Sequence, residues 1–248
     1  MTGAPRISVV LPVYRNRPCL PELHRRLTEA LRAITSDYEL VFVDDAGGDG
    51  SLEWVRECRQ HDDRVVLVEM PRNAGQHRAV LAGLARSTGA AIVVMDADLQ
   101  DPPEAIGGLV HALDRRGGVV FARRTSRHQS PIRHLTGRLF KRLLRRLSGS
   151  RVPAGTGMFF VASRSVVDAA VASNVDVRYV PLLLDATAAP LSAVDVVKSH
   201  RLDSPSAYTT RRRLQLAAGA IRQALAMRRA MKSALRASDL PAREGRGR

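Results

Sequence analysis

Four short runs of aliphatic and β-branched residues punctuate the first hundred positions: 7–13 (ISVVLPV), 39–43 (ELVFV), 65–69 (VVLVE) and 91–95 (AIVVM). Each is nearly continuous rather than strictly alternating, the pattern of strands buried on both faces of a parallel sheet. Between them the apolar period lengthens to that of a helix. Residues 20–35 place Leu20, Leu23, Leu27, Ala30, Leu31 and Ile34 on one face, and 51–61 and 76–87 are the next two predicted helices. Strand and helix alternate at about thirty residues per unit, which predicts the α/β class: an open, mostly parallel, Rossmann-like sheet with helices on both faces. Ligand sites of such sheets lie beyond the carboxyl ends of the strands. The segments to inspect are therefore 14–17, 44–50, 70–75 and 96–101.

All four are polar or acidic. The second strand runs into Asp44-Asp45-Ala-Gly-Gly-Asp-Gly-Ser51, the third into Pro71-Arg72-Asn73-Ala74-Gly75, and the fourth into Asp96-Ala97-Asp98-Leu99-Gln100-Asp101. Two carboxylates at i and i+2 at the mouth of a buried strand can both reach one divalent cation. Hard oxygen ligands suit Mg2+ or Mn2+, which keeps waters and completes its shell from substrate phosphates.

The order and wording of these motifs carry a family resemblance. PVYRN, FVDDAGGDGS, RNAGQHRAVLAGLARSTGA and VVMDADLQDPPE resemble the nucleotide-sugar-dependent glycosyltransferases of family 2, which have the GT-A fold. The last motif is most similar to the polyprenyl-phosphate glycosyltransferases, the group that includes dolichyl-phosphate mannose synthases. The likeness is strong over 6–104 and fainter over 118–214. It implies that Pro12, Tyr14 and the aspartates Asp44 and Asp45 hold the base and ribose of a UDP- or GDP-linked sugar, with Asp44 preferred for the base and Asp45 as second choice. Asn16, Arg72, Asn73, Gly75 and Ala97 complete the implied donor-binding set within the same motifs. Asp96 is placed near ribose and metal, Asp98 as the principal metal ligand with a catalytic part, and Gln100 as a further member of the metal shell.

Charge extends the picture to the second half. Residues 1–114 carry 12 Lys and Arg against 17 Asp and Glu, 115–197 carry 14 against 4, and 198–248 carry 13 against 3. Such asymmetry calls for an anionic partner. Nucleic acid is set aside, because aromatic residues make up 4% of the chain and no recognition motif appears. A strand is predicted over 119–124 (VVFARR), and the resemblance makes Arg123, Arg124 and Arg138 ligands of the donor diphosphate, with Arg127 and Arg133 behind them. The planar guanidinium fork suits phosphate oxygens. Gly157, in the turn GTGMFF, and Ser206, Tyr208 and Arg211, in SPSAYTTRRR, match the family's acceptor-side motifs. Where relatives often read Gly-Asp-Phe-Arg, this chain has Gly157-Met158-Phe159-Phe160.

The implied reaction is displacement at an anomeric carbon with inversion. A phosphate acceptor is already ionised near neutrality and needs no base, whereas a hydroxyl acceptor does. The Glu-Asp pair and Gln/Arg-x-x-Arg-Trp motif of hydroxyl-directed relatives are missing, and the single Trp is Trp54. One carboxylate keeps a second reading open: Asp185 lies 87 residues after Asp98, where a base could sit. The two readings are transfer of a hexose to a polyprenyl phosphate, and transfer by a soluble enzyme to a hydroxyl of a small metabolite. Basic amphipathic helices predicted over 134–147 and 214–235 favour the first, since such helices lie in anionic lipid interfaces. No apolar run reaches the about 20 residues of a spanning helix, and the N-terminal residues lack the pattern of a secretory leader. Two cysteines without ligand spacing give no zinc framework. The expected protein is cytoplasmic and peripheral on the inner membrane face, with homo-oligomerisation open. Its parts are a catalytic domain at 1–197 (nucleotide half 1–114, acceptor half 115–197), a basic helical segment at 198–236 and a disordered tail at 237–248.

Overall fold

The computed structural model describes residues 6–125, 150–173 and 179–197. The predicted helices at 134–147 and 214–235 and the tail lie outside the described residues. So do Arg127, Arg133, Arg138, Ser206, Tyr208 and Arg211.

The described chain forms a seven-stranded mixed sheet: β1 Ile7–Val13, β2 Tyr38–Asp44, β3 Val65–Glu69, β4 Ala91–Val94, β5 Val119–Thr125, β6 Thr156–Ser163 and β7 Leu191–Val197. Its order is β3-β2-β1-β4-β6-β5-β7. β1 to β4 are mutually parallel, β6 runs antiparallel between β4 and β5, and β7 returns parallel to β5. The four predicted strands are found within a residue of their expected limits, and so is the strand at 119–124. The sheet joins both halves of the sequence, because β4 pairs directly with β6.

Among the described residues, six α-helices cover the sheet: α1 Leu20–Arg32, α2 Ser51–His61, α3 Gln76–Arg86, α4 Ile106–Arg116, α5 Arg164–Ala172 and α6 Val180–Ala186. Successive strand residues point to opposite faces, so the core falls into two layers. One packs Leu11 and Phe42 of the sheet against Leu23 and Leu27 of α1, Val55 of α2 and Leu109 of α4. The other packs Val10 and Val41 against Val80 and Leu84 of α3, Val167 of α5 and Leu183 of α6. This is the expected α/β arrangement with helices on both faces.

Two contacts fix what matters for the site. At the start of the strands, buried Glu39 accepts from the Ser8 hydroxyl at 2.5 Å and from the Thr88 backbone N–H at 2.6 Å. Burial alone would raise the Glu39 carboxyl, but these donors, the Thr88 hydroxyl and Arg6 hold it below the ordinary range. In the middle of α3, Gly83 lets the helix backbone lie directly on the sheet. A Cβ there would stand 2.4 Å from Val10 Cγ1 and 2.8 Å from Val43 Cγ2. Gly83→Ala must therefore push α3 away from β1 and β2. An overpacking cost of about 1–3 kcal/mol is expected, read as a lower urea midpoint at unchanged m-value.

Candidate active site at the strand ends

The strand ends named by the sequence converge because β2, β1 and β4 are adjacent and parallel. Val13 and Asp44 are register partners, and the Asp45 N–H donates to the Val13 carbonyl at 2.9 Å. Pro12 is buried beyond the last β1–β4 pair, Val10 with Val94, where β1 has β2 alone as neighbour. Tyr14 follows, half-buried, with the Arg15 guanidinium 5.3 Å from its ring centroid. The Asn16 side-chain oxygen accepts the Tyr14 N–H at 2.9 Å. Arg15 is left-handed at φ 59° and reaches the Gly47 carbonyl at 3.4 Å, tying the first strand end to the second.

The two aspartates after β2 have separate surroundings. Asp45 is buried and fully engaged: it accepts the N–H of Ala74 at 2.6 Å and of Gly75 at 3.0 Å, and the Asn73 amide at 3.1 Å. It holds the 73–75 turn, a positioning role. Asp44 is also buried, and its Oδ2 accepts the Ala46 N–H at 3.2 Å. Its Oδ1 is shielded from solvent and has no hydrogen-bond partner among the described residues. Burial pushes the Asp44 carboxyl up and the nearby Asp49 and Asp45 charges add to the rise, against the pull of the Ala46 and Gly47 backbone groups. A buried polar atom left unsatisfied is costly and calls for an account. The oxygens of Asp45 are taken by the 73–75 turn, whereas Asp44 keeps acceptor capacity on Oδ1 among the described residues.

Beyond β4 the chain keeps alternating. Ala97 and Leu99 are 2% and 3% exposed and join the core, so Asp96, Asp98 and Gln100 are turned outward and left half-buried. Leu99 adopts φ 61°, and the turn brings Gln100 back onto Asp98: its backbone N–H donates to Oδ1 at 3.1 Å and its amide to Oδ2 at 2.6 Å. Asp96 Oδ1 accepts from the amide of Gln76, the first residue of α3. Among the described residues no cluster of three or more His, Cys, Asp or Glu forms a ready cage. Two carboxylates and an amide are nonetheless hard-oxygen donors, once the Gln100 amide turns its oxygen inward. That set fits a divalent ion which takes its other ligands from phosphates and water.

Other candidates are placed elsewhere. Arg123, on β5, is paired through Nε with Asp195, its register partner on β7, and is half-exposed. Arg124 follows on the same strand, and Arg72 is exposed in the 71–75 turn. Gly157 lies half-buried on β6. Its altered neighbours Met158, Phe159 and Phe160 are buried, with Phe160 against Phe121 at 5.6 Å between ring centroids. Asp185, near the end of α6, is clamped by Arg151, whose backbone N–H and Nε each donate to it at 2.9 Å. Three participants were not singled out from the sequence. Asp49 accepts the Arg17 N–H at 3.0 Å, Gln76 grips Asp96, and His77 accepts the Val180 N–H at 3.5 Å. Nothing in their spacing marks them, since each acts through a partner distant in sequence.

The sequence profile of glycosyl transferase family 2 matches residues 8–170, from β1 into α5. The chain belongs to glycosyl transferase family 2. Solved structures extend the likeness at the level of fold. A mannosyltransferase from Pyrobaculum calidifontis, in complex with GDP-Man and Mn2+, is 21% identical over 97% of this family 2 chain and 78% of its own, with a TM-score of 0.60. Glucosyl-3-phosphoglycerate synthase from Mycobacterium tuberculosis, in complex with Mn2+, UDP and phosphoglyceric acid, is 18% identical over 90% of this chain and 78% of its own, with a TM-score of 0.60. S. aureus TarS 1-349, in complex with UDP-GlcNAc, is 16% identical over 82% and 62%, with a TM-score of 0.54. No helix among the described residues is long and apolar enough to cross a membrane.

His77 supplies a pH test of the site's frame. Its ring meets Tyr179 edge-on at 5.2 Å, and burial lowers its pKa to about 4 from the ordinary 6.5. The unfolded chain takes up this proton below pH 6.5 while the folded chain does not until about 4. The stabilising contribution is therefore complete above that upper value and is lost as pH falls towards the lower one. Its ceiling is about 3 kcal/mol, since a sliver of the ring stays exposed. Urea titrations across this window should show the decline, and His77→Gln, which accepts a hydrogen bond without titrating, should flatten it.

Proposed function

We propose that this family 2 enzyme transfers a hexose from a UDP- or GDP-linked sugar, with inversion, to a polyprenyl phosphate at an anionic membrane surface. The observation that carries the donor half is the strand-end cluster: Asp44 beyond β2, whose Oδ1 has no partner among the described residues, and the outward-facing Asp96, Asp98 and Gln100 beyond β4. Asp44 accepts from a ring N–H of the base, and Tyr14 and Pro12 line that end. Asp98, with Asp96 and Gln100, holds Mg2+ or Mn2+. When bound, the cation neutralises charge developing on the nucleoside diphosphate leaving group. Arg124 and Arg138 are the arginines proposed for the same diphosphate; Arg123 already faces Asp195. The mannosyltransferase and the phosphoglycerate enzyme, both solved with Mn2+ and a nucleotide or nucleotide sugar, support this half.

The acceptor half is supported by the state of Asp185. A general base needs a lone pair aimed at the proton it removes, and Arg151 holds one acceptor site on each Asp185 oxygen, which orients the carboxylate towards residue 151. A phosphate nucleophile asks for no such base. Gly157, Ser206, Tyr208 and Arg211 are the acceptor-side residues in this reading, with the basic helices 134–147 and 214–235 against the lipid. The competing reading, a hydroxyl acceptor, draws on the phosphoglyceric acid in the glucosyl-3-phosphoglycerate synthase structure.

The test is a panel of UDP- and GDP-sugars with Mg2+ or Mn2+, released nucleotide as the readout, run with and without a polyprenyl phosphate. Turnover should rise with the polyprenyl phosphate, and stimulation by small hydroxyl compounds alone would overturn the assignment. Asp98→Ala should lose about a hundredfold or more in turnover while its melting temperature moves by no more than about 3 °C.

Asp185→Asn separates the two acceptors. Asn keeps one oxygen for Arg151, so a modest stability loss of about 1–2 kcal/mol is expected. Turnover should stay within a few-fold. Loss of a general base would cost about 10²–10⁴ in rate, and such a loss at unchanged nucleotide affinity would establish the hydroxyl acceptor.

A further inference from the structure

We infer that Gln76 is a positioning residue for Asp96, and that Asp45 braces it from the neighbouring strand. The inference rests on the donor site proposed above. Its observation is a chain of contacts running from the end of β2 to the end of β4 through the first turn of α3.

The first link is Asp45. Its carboxylate accepts from the backbone of Ala74 and Gly75 and from the Asn73 amide, while its own carbonyl accepts from that amide at 3.2 Å. Gly75 takes φ 90°, a conformation few other residues tolerate, and turns the chain into α3. Gln76 opens the helix and donates its side-chain amide to Asp96 Oδ1. A carboxylate can only accept, so the amide nitrogen must be the atom that faces it. His77, one residue on, is tied to the backbone of Val180 in α6, and Gly83 seats the same helix on β1 and β2. The turn that carries Gln76 is thus held at Asp45, at α6 and by the sheet.

The two outward aspartates are therefore gripped differently. Asp98 is held by Gln100, two residues away on the same loop, and can move with that loop. Asp96 is held by a residue 20 positions earlier, on a helix fixed independently of the loop. One oxygen of Asp96 is thereby referenced to the rigid body of the fold. Groups that orient a metal-binding carboxylate without touching the metal typically alter metal affinity about 10–100-fold when removed.

Gln76→Met removes the donor at similar volume and retains helix propensity; Gln76→Leu removes it with a different shape. Mn2+ affinity is measured on the purified full chain with saturating UDP or GDP, by the free Mn2+ resonance signal, alongside thermal melting and donor kinetics. Both variants should bind Mn2+ about tenfold or more weakly at an unchanged melting temperature, with kcat partly recovered by excess Mn2+. Wild-type Mn2+ affinity in either variant would overturn the inference, since the donor would then be dispensable. A wild-type protein that binds no Mn2+ with either nucleotide would overturn the donor-site reading together with this one.

Discussion

The alternation of β4 outlasts its ladder. Pairing with β1 ends at Val94, yet Met95, Ala97 and Leu99 continue into the core. Burying Met95, Ala97 and Leu99 turns Asp96 and Asp98 between them, and Gln100 after them, the other way. The positive φ of Leu99 is tolerated because its side chain is anchored in the apolar layer. A polar substitution at Ala97 or Leu99 would turn the carboxylates as surely as a change to the aspartates themselves.

The same constraint explains what could be read from the sequence. Strands buried on both faces are near-continuous apolar runs, so β1 to β4 and the position of the site beyond their ends were legible. α1 was legible through its spaced leucines, although it stops at Arg32 rather than at residue 35. α4, α5, α6 and β7 were not assigned. α4 opens on Ile106-Gly107-Gly108, α6 is seven residues with an unbroken Leu182–Leu184 run, and β7 is an edge strand whose residues are mostly half-buried or exposed. A short apolar run cannot be divided between helix and strand by periodicity alone. The reversal of β6 was equally hidden, because a strand's direction leaves no mark in its composition.

Function was less evenly legible. The motifs marked which residues gather at the strand ends, but not what each one does there. Asp44 and Asp45 are adjacent, acidic and both buried, and their difference lies in partners supplied from elsewhere. Asp45 is surrounded by the N–H groups of the 73–75 turn, while Asp44 Oδ1 has no partner among the described residues. Asp185 shows the converse. Its distance from Asp98 along the chain suggested a base, and the fold brings it to Arg151 instead. Met158 and Phe160, which depart from the family's charged pattern, lie in the apolar layer shared with α5 and α6.

These assignments bear on a common electrostatic problem. Asp44, Asp45, Asp49, Asp96 and Asp98 meet at one end of the sheet, in the half of the chain with net negative charge, and the proposed donor is itself a diphosphate. Like charges near one another are costly unless each is answered locally; burial is the main cause of the raised Asp44 carboxyl, and the Asp49 and Asp45 charges add to it. Asp45 and Asp49 are answered by backbone N–H groups, Asp96 and Asp98 by glutamine amides. Neutral donors steady these carboxylates without cancelling their charge. A diphosphate brought to this end needs positive charge beside it: the first half offers Arg72 in the 71–75 turn, and beyond residue 114 Lys and Arg outnumber Asp and Glu by 27 to 7. In the proposed reading, the cation and the arginines would answer the repulsion that the acidic strand ends set up.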